Sequence, residues 1–100
     1  MRLSPRQLQI IHQVLDRELP GAQARLFGSR LDDTIRGGDI DLMVSCPGAI
    51  DNPALIAARL ASRLEMALDG QAVDVVLDAP NLARLPIHDV AQSEGQLLWQ

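Results

Sequence analysis

The 100 residues are enough for one small domain with a single core, which we expect to span residues 1–100. Apolar residues make up 47% and charged residues 22%, which argues against disorder, and no apolar run is long enough to span a membrane. Thirteen acidic residues exceed nine basic ones, so we expect no direct binding to nucleic acid or to an anionic membrane. The N-terminal residues lack a secretory apolar region, and we expect a cytoplasmic location.

Missing residue types exclude several kinds of chemistry. All nine basic residues are Arg, so the chain has no lysine for a phosphate-binding loop, a Schiff base or a general base. Its single cysteine, Cys46, excludes an intrachain disulfide and a multi-cysteine zinc site. Chemistry must therefore come from carboxylates, Arg, Ser, His and backbone groups.

The N-terminal part of the chain predicts a helix and a strand. Ser4-Pro5-Arg6-Gln7 is typical of a capped helix start, and apolar residues follow it at helical spacing until Pro20-Gly21. Residues 23–27 then form a short strand candidate, which ends at Gly28-Ser29.

The middle of the chain predicts a second strand and a second helix. Side chains alternate over residues 39–46, which puts Asp39, Asp41 and Met43 on one face and Ile40, Leu42 and Val44 on the other. Asn52-Pro53 is typical of a helix start with Asn as the N-cap residue, and Gly70 stands where a glycine ends a helix.

The C-terminal part predicts a third strand over residues 71–77 and a short helix over residues 86–93. The apolar segment 97–99 can add a final strand or pack on the sheet. The predicted order is α-β-β-α-β-α. It favours an α+β fold, in which helices pack mainly on one face of a small mixed β-sheet of three or four strands.

Three aspartates stand in or beside apolar strands: Asp39, Asp41 and Asp74. Asp39 and Asp41 are two residues apart, so their side chains leave the same face about 6.6 Å apart along the strand. If the strand with Asp74 is their neighbour, all three converge. Two such charges at about 5 Å repel by about 3 kcal/mol, out of the roughly 5–15 kcal/mol that stabilise a domain.

A divalent cation would turn this repulsion into attraction. Carboxylates without nearby His or Cys suit Mg²⁺ or Mn²⁺ rather than Zn²⁺, and a pair of such ions serves phosphoryl and nucleotidyl transfer. Gly28-Ser29-Arg30 adds a complementary feature. The glycine allows close approach of the backbone, the serine supplies a hydroxyl donor and the arginine a positive charge, which together predict a phosphate-binding site.

These residues resemble the nucleotidyltransferase superfamily of DNA polymerase beta. The superfamily pattern is Gly-Ser, a loop, Asp-x-Asp and a third Asp on a later strand. Here Gly28-Ser29 is followed by nine residues, then by Asp39-Ile40-Asp41, with Asp74 as the later aspartate. The short chain and its Gly-Ser-Arg tripeptide resemble the minimal nucleotidyltransferases of prokaryotes, the MntA-type antitoxins of HEPN/MNT toxin–antitoxin pairs.

The resemblance implies a nucleotidyltransferase fold and a division of roles among the aspartates. Asp39 and Asp41 would hold both metal ions, Mg²⁺ or Mn²⁺. Asp74 would hold only the catalytic ion and help to deprotonate the acceptor hydroxyl.

The resemblance also implies a reaction and a partner. Gly28, Ser29 and Arg30 would bind the phosphates of a nucleoside triphosphate, and AMP would pass from ATP to a hydroxyl acceptor. That acceptor would be a tyrosine of a small helical HEPN-like protein, since this chain has no Tyr of its own. The partner or a second protomer would complete the site.

Two other functions remain open. The chain could be a non-catalytic antitoxin or binding module that neutralises a helical partner by contact alone. It could also be a small-molecule nucleotidyltransferase, although such enzymes usually carry additional helical substrate-binding regions. The aspartates favour an enzyme, because an unneutralised carboxylate cluster costs stability and serves no purpose in a passive binder.

Single residues have structural interpretations as well. Asp39 could be a turn residue at a strand start, and Ser29 could be an ordinary helix cap. Arg59 and Arg63 predict a solvated helix face or a partner contact. His88-Asp89 is more typical of the cap region at a helix start than of a catalytic base.

Overall fold

The computed structural model describes residues 3–28 and 38–99 of the chain. The elements in these ranges confirm the predicted order and add the final strand. The helices are α1 (Pro5–Glu18), α2 (Pro53–Ala67) and α3 (Pro86–Glu94), and the strands are β1 (Gln23–Phe27), β2 (Ile40–Ser45), β3 (Val73–Asp78) and β4 (Gln96–Leu97).

The strands form one mixed sheet in the order β3-β2-β1-β4. β2 runs parallel to β3, whereas β1 is antiparallel to both β2 and β4. Register pairs Asp41 of β2 with Phe27 of β1 on one side and with Asp74 of β3 on the other. The end of β1 therefore meets the starts of β2 and β3, which is where Gly28, Asp39, Asp41 and Asp74 of the predicted site lie.

The capping box predicted for α1 is confirmed. The Ser4 hydroxyl accepts a hydrogen bond from the backbone N–H of Gln7 (3.1 Å), and the Gln7 side chain accepts one from the N–H of Ser4 (2.9 Å). These two bonds satisfy N–H groups that have no partner within the helix.

Asn52 is the N-cap residue of α2, as predicted, but it does not cap the helix through its side chain. Asn52 has a left-handed backbone, with φ 51° and ψ 60°, and its side chain makes no cap hydrogen bond. A capping side chain reaches the first turn from an extended backbone, which Asn52 does not adopt. At the other end, Gly70 has φ 89° and its N–H donates to the Glu65 carbonyl, so the predicted glycine ending is confirmed.

α1 and α2 cover one face of the sheet. The main core contains fully buried side chains from both helices and from that face, among them Ile11, Leu15, Leu60, Leu64, Leu26, Ile40, Leu42 and Val44. α3 packs on the opposite face, where Ala91 contacts Phe27 and Met43 in a smaller cluster. The fold is thus α+β with helices mainly on one face of the sheet: α1 and α2 lie on that face, and α3 lies on the other. Because side chains alternate along a strand, Asp41 and Asp74 share the α3 face with Met43.

The helix pair on the main face is joined by an ion pair that the sequence analysis missed. Arg63 Nη1 lies 2.6 Å from Glu18 Oε1, although the Arg63 side chain remains 53% exposed. Arg59 is exposed, as predicted. In the described part of the chain, none of the helices has the length and apolar character of a membrane span.

Candidate active site

Asp41 and Asp74 form the centre of the candidate site. The parallel register of β2 and β3 makes them direct neighbours, with Asp41 half-buried and Asp74 exposed. Burial raises the pKa of Asp41, and the charge of Asp74, a hydrogen bond between the two carboxyl groups and the charge of Asp39 raise it further. The negative charges of the two carboxylates therefore repel each other, and a bound cation would stabilise them.

Gly28 directly follows β1 and lies against Asp41. Its φ is 78°, a left-handed conformation that favours glycine. A Cβ atom at this position would overlap Oδ2 of Asp41. The sequence predicts that this glycine lets a ligand approach, and the structure adds that it leaves room for the Asp41 carboxylate.

Asp39 lies one residue before β2 and is exposed. Backbone groups on both sides of it are held by the segment that leads into β3. The Gln71 side-chain amide donates to the carbonyl of Gly38, and the N–H of Ile40 donates to the carbonyl of Ala72 at 3.0 Å. Gln71 is a residue that the sequence analysis missed, because its contact joins segments 33 residues apart.

Glu65 of α2 is a second residue that the sequence analysis missed. Its Oε2 accepts a hydrogen bond of 2.9 Å from the N–H of Val73, the first residue of β3. This bond ties the start of β3 to α2 immediately before Asp74. It also satisfies a backbone donor of β3, which has no neighbouring strand on that side among the described residues.

The donor set fits a hard divalent cation. Within residues 3–28 and 38–99, no group of three His, Cys, Asp or Glu side chains is arranged to hold a metal ion. The structure brings Asp41 and Asp74 together and leaves Asp39 within electrostatic range of Asp41. Mg²⁺ is typically bound by one or two carboxylates together with substrate phosphates, so the pair is suited to a metal ion that arrives with a nucleotide.

Two residues of the predicted phosphate-binding site, Ser29 and Arg30, lie outside the described residues. Their roles stay predictions, and so does the phosphate-binding role of Gly28, which the structure places against Asp41.

His88 has a structural role, which confirms the cap-region interpretation. It is buried, its Nδ1 accepts from the N–H of Leu85 at 2.8 Å, and its Nε2 lies 2.8 Å from the carbonyl of Leu77. Since Nδ1 accepts a hydrogen bond, Nε2 carries the ring proton and donates a hydrogen bond to that carbonyl. Its neighbour Asp89 pairs with Arg84 at 2.7 Å. Both ring nitrogens are thus engaged by backbone groups of the fold.

Solved structures of toxin–antitoxin complexes contain chains similar to this one. A chain in the complex of a tri-AMPylated Shewanella oneidensis HEPN toxin with an MNT antitoxin is 28% identical, with a TM-score of 0.66; the match covers 93% of this chain and 69% of that one. A chain in a toxin–antitoxin structure with AMP-PNP is 29% identical, with a TM-score of 0.70 and coverage of 92% and 72%.

A chain of an MntA-HepT toxin–antitoxin structure is 26% identical, with a TM-score of 0.68 and coverage of 96% and 72%. No protein-family model and no curated protein matches the sequence. The matching structures confirm the predicted nucleotidyltransferase fold and the resemblance to the MNT type. They also support a nucleotidyltransferase role for this chain.

Proposed function

We propose that this chain is a metal-dependent nucleotidyltransferase of the MNT type, which transfers AMP from ATP to a tyrosine hydroxyl of a HEPN-like partner protein. The observation that carries the proposal is the register pairing of Asp41 with Asp74, which makes two carboxylates direct neighbours. Burial, followed by the charge of Asp74, raises the pKa of Asp41. Similar solved structures hold an ATP analogue in one case and a tri-AMPylated toxin in another, which supports ATP as the substrate and a protein as the acceptor.

The three carboxylates differ in exposure, and this difference supports different roles for them in the reaction. Asp39, Asp41 and Asp74 would hold Mg²⁺ or Mn²⁺, which when bound neutralises phosphate charge and lowers the pKa of the attacking hydroxyl. Asp41 is half-buried and packed against Gly28, so among the three carboxylates it is the one whose position the fold fixes. Asp74 is exposed on the edge strand, where an acceptor hydroxyl can reach it and where it takes up the hydroxyl proton.

In this reaction the acceptor oxygen forms a bond to the α-phosphorus of ATP. The bond from that phosphorus to the bridging oxygen breaks, and pyrophosphate leaves. Gly28, Ser29 and Arg30 would bind the β- and γ-phosphates, with Gly28 providing close backbone approach and Arg30 a positive charge.

Neutralisation of the partner by contact alone is the alternative. The structure offers an argument against it, because Asp41 and Asp74 repel each other and Asp41 is half-buried. A passive binder would gain stability by replacing either residue.

Transfer of label from ATP tests the proposal. The protein, Mg²⁺ and the HEPN-like partner are incubated with ATP labelled at the α-phosphate or at the γ-phosphate. The proposal expects label on the partner from the α-position only, loss of that label with Asp41→Asn, and full labelling with Asp51→Asn, which changes an exposed aspartate before α2. A partner that is inhibited by the wild-type protein but carries no label would overturn it.

A further inference from the structure

Asp39 and Asp74 are both exposed carboxylates of the proposed site, and Asp39 is the one that lies outside the sheet. β2 begins at Ile40, so no strand pairing of its own fixes Asp39. Burial, Asp74 and, last, Asp39 raise the pKa of Asp41, so the Asp39 carboxylate lies close enough to the pair to repel it. A carboxylate that must bind a metal ion in this environment needs its backbone held in place.

The segment before β3 holds that backbone on both sides of Asp39. On one side, the side-chain amide of Gln71 donates to the Gly38 carbonyl. On the other side, the Ile40 N–H donates to the carbonyl of Ala72 at 3.0 Å. The same Gln71 amide also contacts the Ala72 carbonyl at 3.1 Å, so one half-buried side chain touches both anchoring groups.

We propose that Gln71 is a positioning residue for the metal-binding carboxylate of Asp39. Gln71 acts through its hydrogen bond to the Gly38 carbonyl. This bond precedes the backbone bond from the Ile40 N–H to the Ala72 carbonyl, and so it prolongs the contact between the segments that lead into β2 and β3. In this way it places Asp39 beside the Asp41–Asp74 pair. The inference rests on the proposed function, since it concerns the same metal site.

The expected effect of losing this contact is weaker metal binding rather than unfolding. Hydrogen-bond partners that orient metal ligands typically change metal affinity by about 10–100-fold when removed. Gln71 acts through one backbone group at the edge of the site, so we expect about 10-fold, at the lower end of that range. Gln71→Met keeps the length of the side chain but removes its hydrogen-bond donors, without adding charge.

The test uses Mn²⁺ titrations by isothermal calorimetry on the full chain, without nucleotide and with a non-hydrolysable ATP analogue. Amide hydrogen exchange at Ile40 and the melting temperature are measured in parallel. Gln92→Met, at an exposed glutamine of α3, is the matched control. The proposal expects Gln71→Met to bind Mn²⁺ about 10-fold more weakly and to exchange the Ile40 amide faster, while the control matches the wild type.

Two results would overturn it in different ways. If the wild type binds Mn²⁺ and Gln71→Met binds it equally well, Gln71 has no positioning role and the proposed function stands. If the wild type binds no Mn²⁺ with or without nucleotide, both the proposed function and this inference fail. Should Gln71→Met not fold, Gln71→Asn, which keeps the amide but cannot reach Gly38, decides between the same outcomes.

Discussion

Gly28 leaves the space into which the carboxylate of Asp41 fits. The two residues are brought together because Phe27 is the register partner of Asp41 and Gly28 follows it with a φ of 78°. A methyl group at Gly28 would overlap Oδ2 of Asp41. The glycine of the Gly-Ser motif therefore makes room for the carboxylate that we propose as a metal ligand, besides the role in phosphate binding that the motif predicts.

Gly28→Ala should damage both the stability of the fold and the position of Asp41. A left-handed backbone costs a non-glycine residue about 1–2 kcal/mol, and the overlap with Asp41 adds to this. Urea unfolding should show a loss of at least that size. Gly48→Ala is the control, because a Cβ there meets no atom within 4 Å. Equal stability of Gly28→Ala and the control would contradict the contact.

The charge on Asp41 should make the metal-free protein less stable as the pH rises. Its folded-state pKa is raised by burial, by Asp74 and by Asp39, so the folded state holds the proton more tightly than the unfolded state. The favourable contribution is then fully present below the unfolded-state pKa of about 3.9 and is lost as the pH rises through the folded-state pKa.

Asp41→Asn removes this titration and keeps the shape of the side chain. Without divalent metal, the variant should melt at a higher temperature than the wild type at pH 7, and the difference should shrink at pH 4. Thermal melts at both pH values check this, with Asp51→Asn as an exposed control. A difference that is the same at both pH values would mean that the Asp41 charge is not the cause.

Asp74→Asn should separate catalysis from nucleotide binding. Asp74 is the exposed carboxylate on the edge strand, and under the proposal it takes up the acceptor proton. The variant should lose turnover in a single-turnover assay but keep most of its affinity for Mg²⁺-ATP, which depends chiefly on Asp39, Asp41 and the Gly28-Ser29 segment. Full turnover by the variant would show that Asp74 is a structural strand residue.

His88→Ala should destabilise the fold without removing a catalytic group. It leaves the Leu77 carbonyl without its buried partner, which costs about 1–3 kcal/mol, and it also removes the part-buried bond to the Leu85 N–H. His12→Ala is the comparison, since His12 stacks on Trp99 with ring centroids 4.2 Å apart and such a contact is worth about 0.5–1.5 kcal/mol. Transfer per folded molecule should be unchanged in both variants. Loss of transfer in fully folded His88→Ala would assign it a role in the reaction.

The sequence was sufficient to predict most of the fold for identifiable physical reasons. The alternation over residues 39–46 predicts which side of β2 carries Asp41, because side chains of a strand leave opposite faces in turn. Ser4 and Gln7 predict the start of α1, because a capping box depends on four neighbouring residues alone. Asn52 predicts where α2 starts but not its conformation there, since the same residue type favours both side-chain capping and the left-handed backbone that it adopts here.

The site was less predictable, because it depends on contacts between distant parts of the chain. The pairing of Asp41 with Asp74 follows from the register of two strands more than 30 residues apart, which no local pattern fixes. The contacts of Gln71 with Gly38 and of Glu65 with Val73 depend on that register and on the packing of α2. The aspartate motif indicates the carboxylates themselves but not the groups that hold them.

Intact-mass measurement of the partner tests the central claim most directly. The HEPN-like protein is incubated with ATP, Mg²⁺ and either the wild-type chain or Asp41→Asn, and its mass and its toxicity are followed together. We expect the wild type to add one or more whole adenylyl groups to tyrosine as toxicity falls, and Asp41→Asn to add none while still binding the partner. A partner whose mass is unchanged although its toxicity is lost, equally with both proteins, would contradict the account and establish neutralisation by contact.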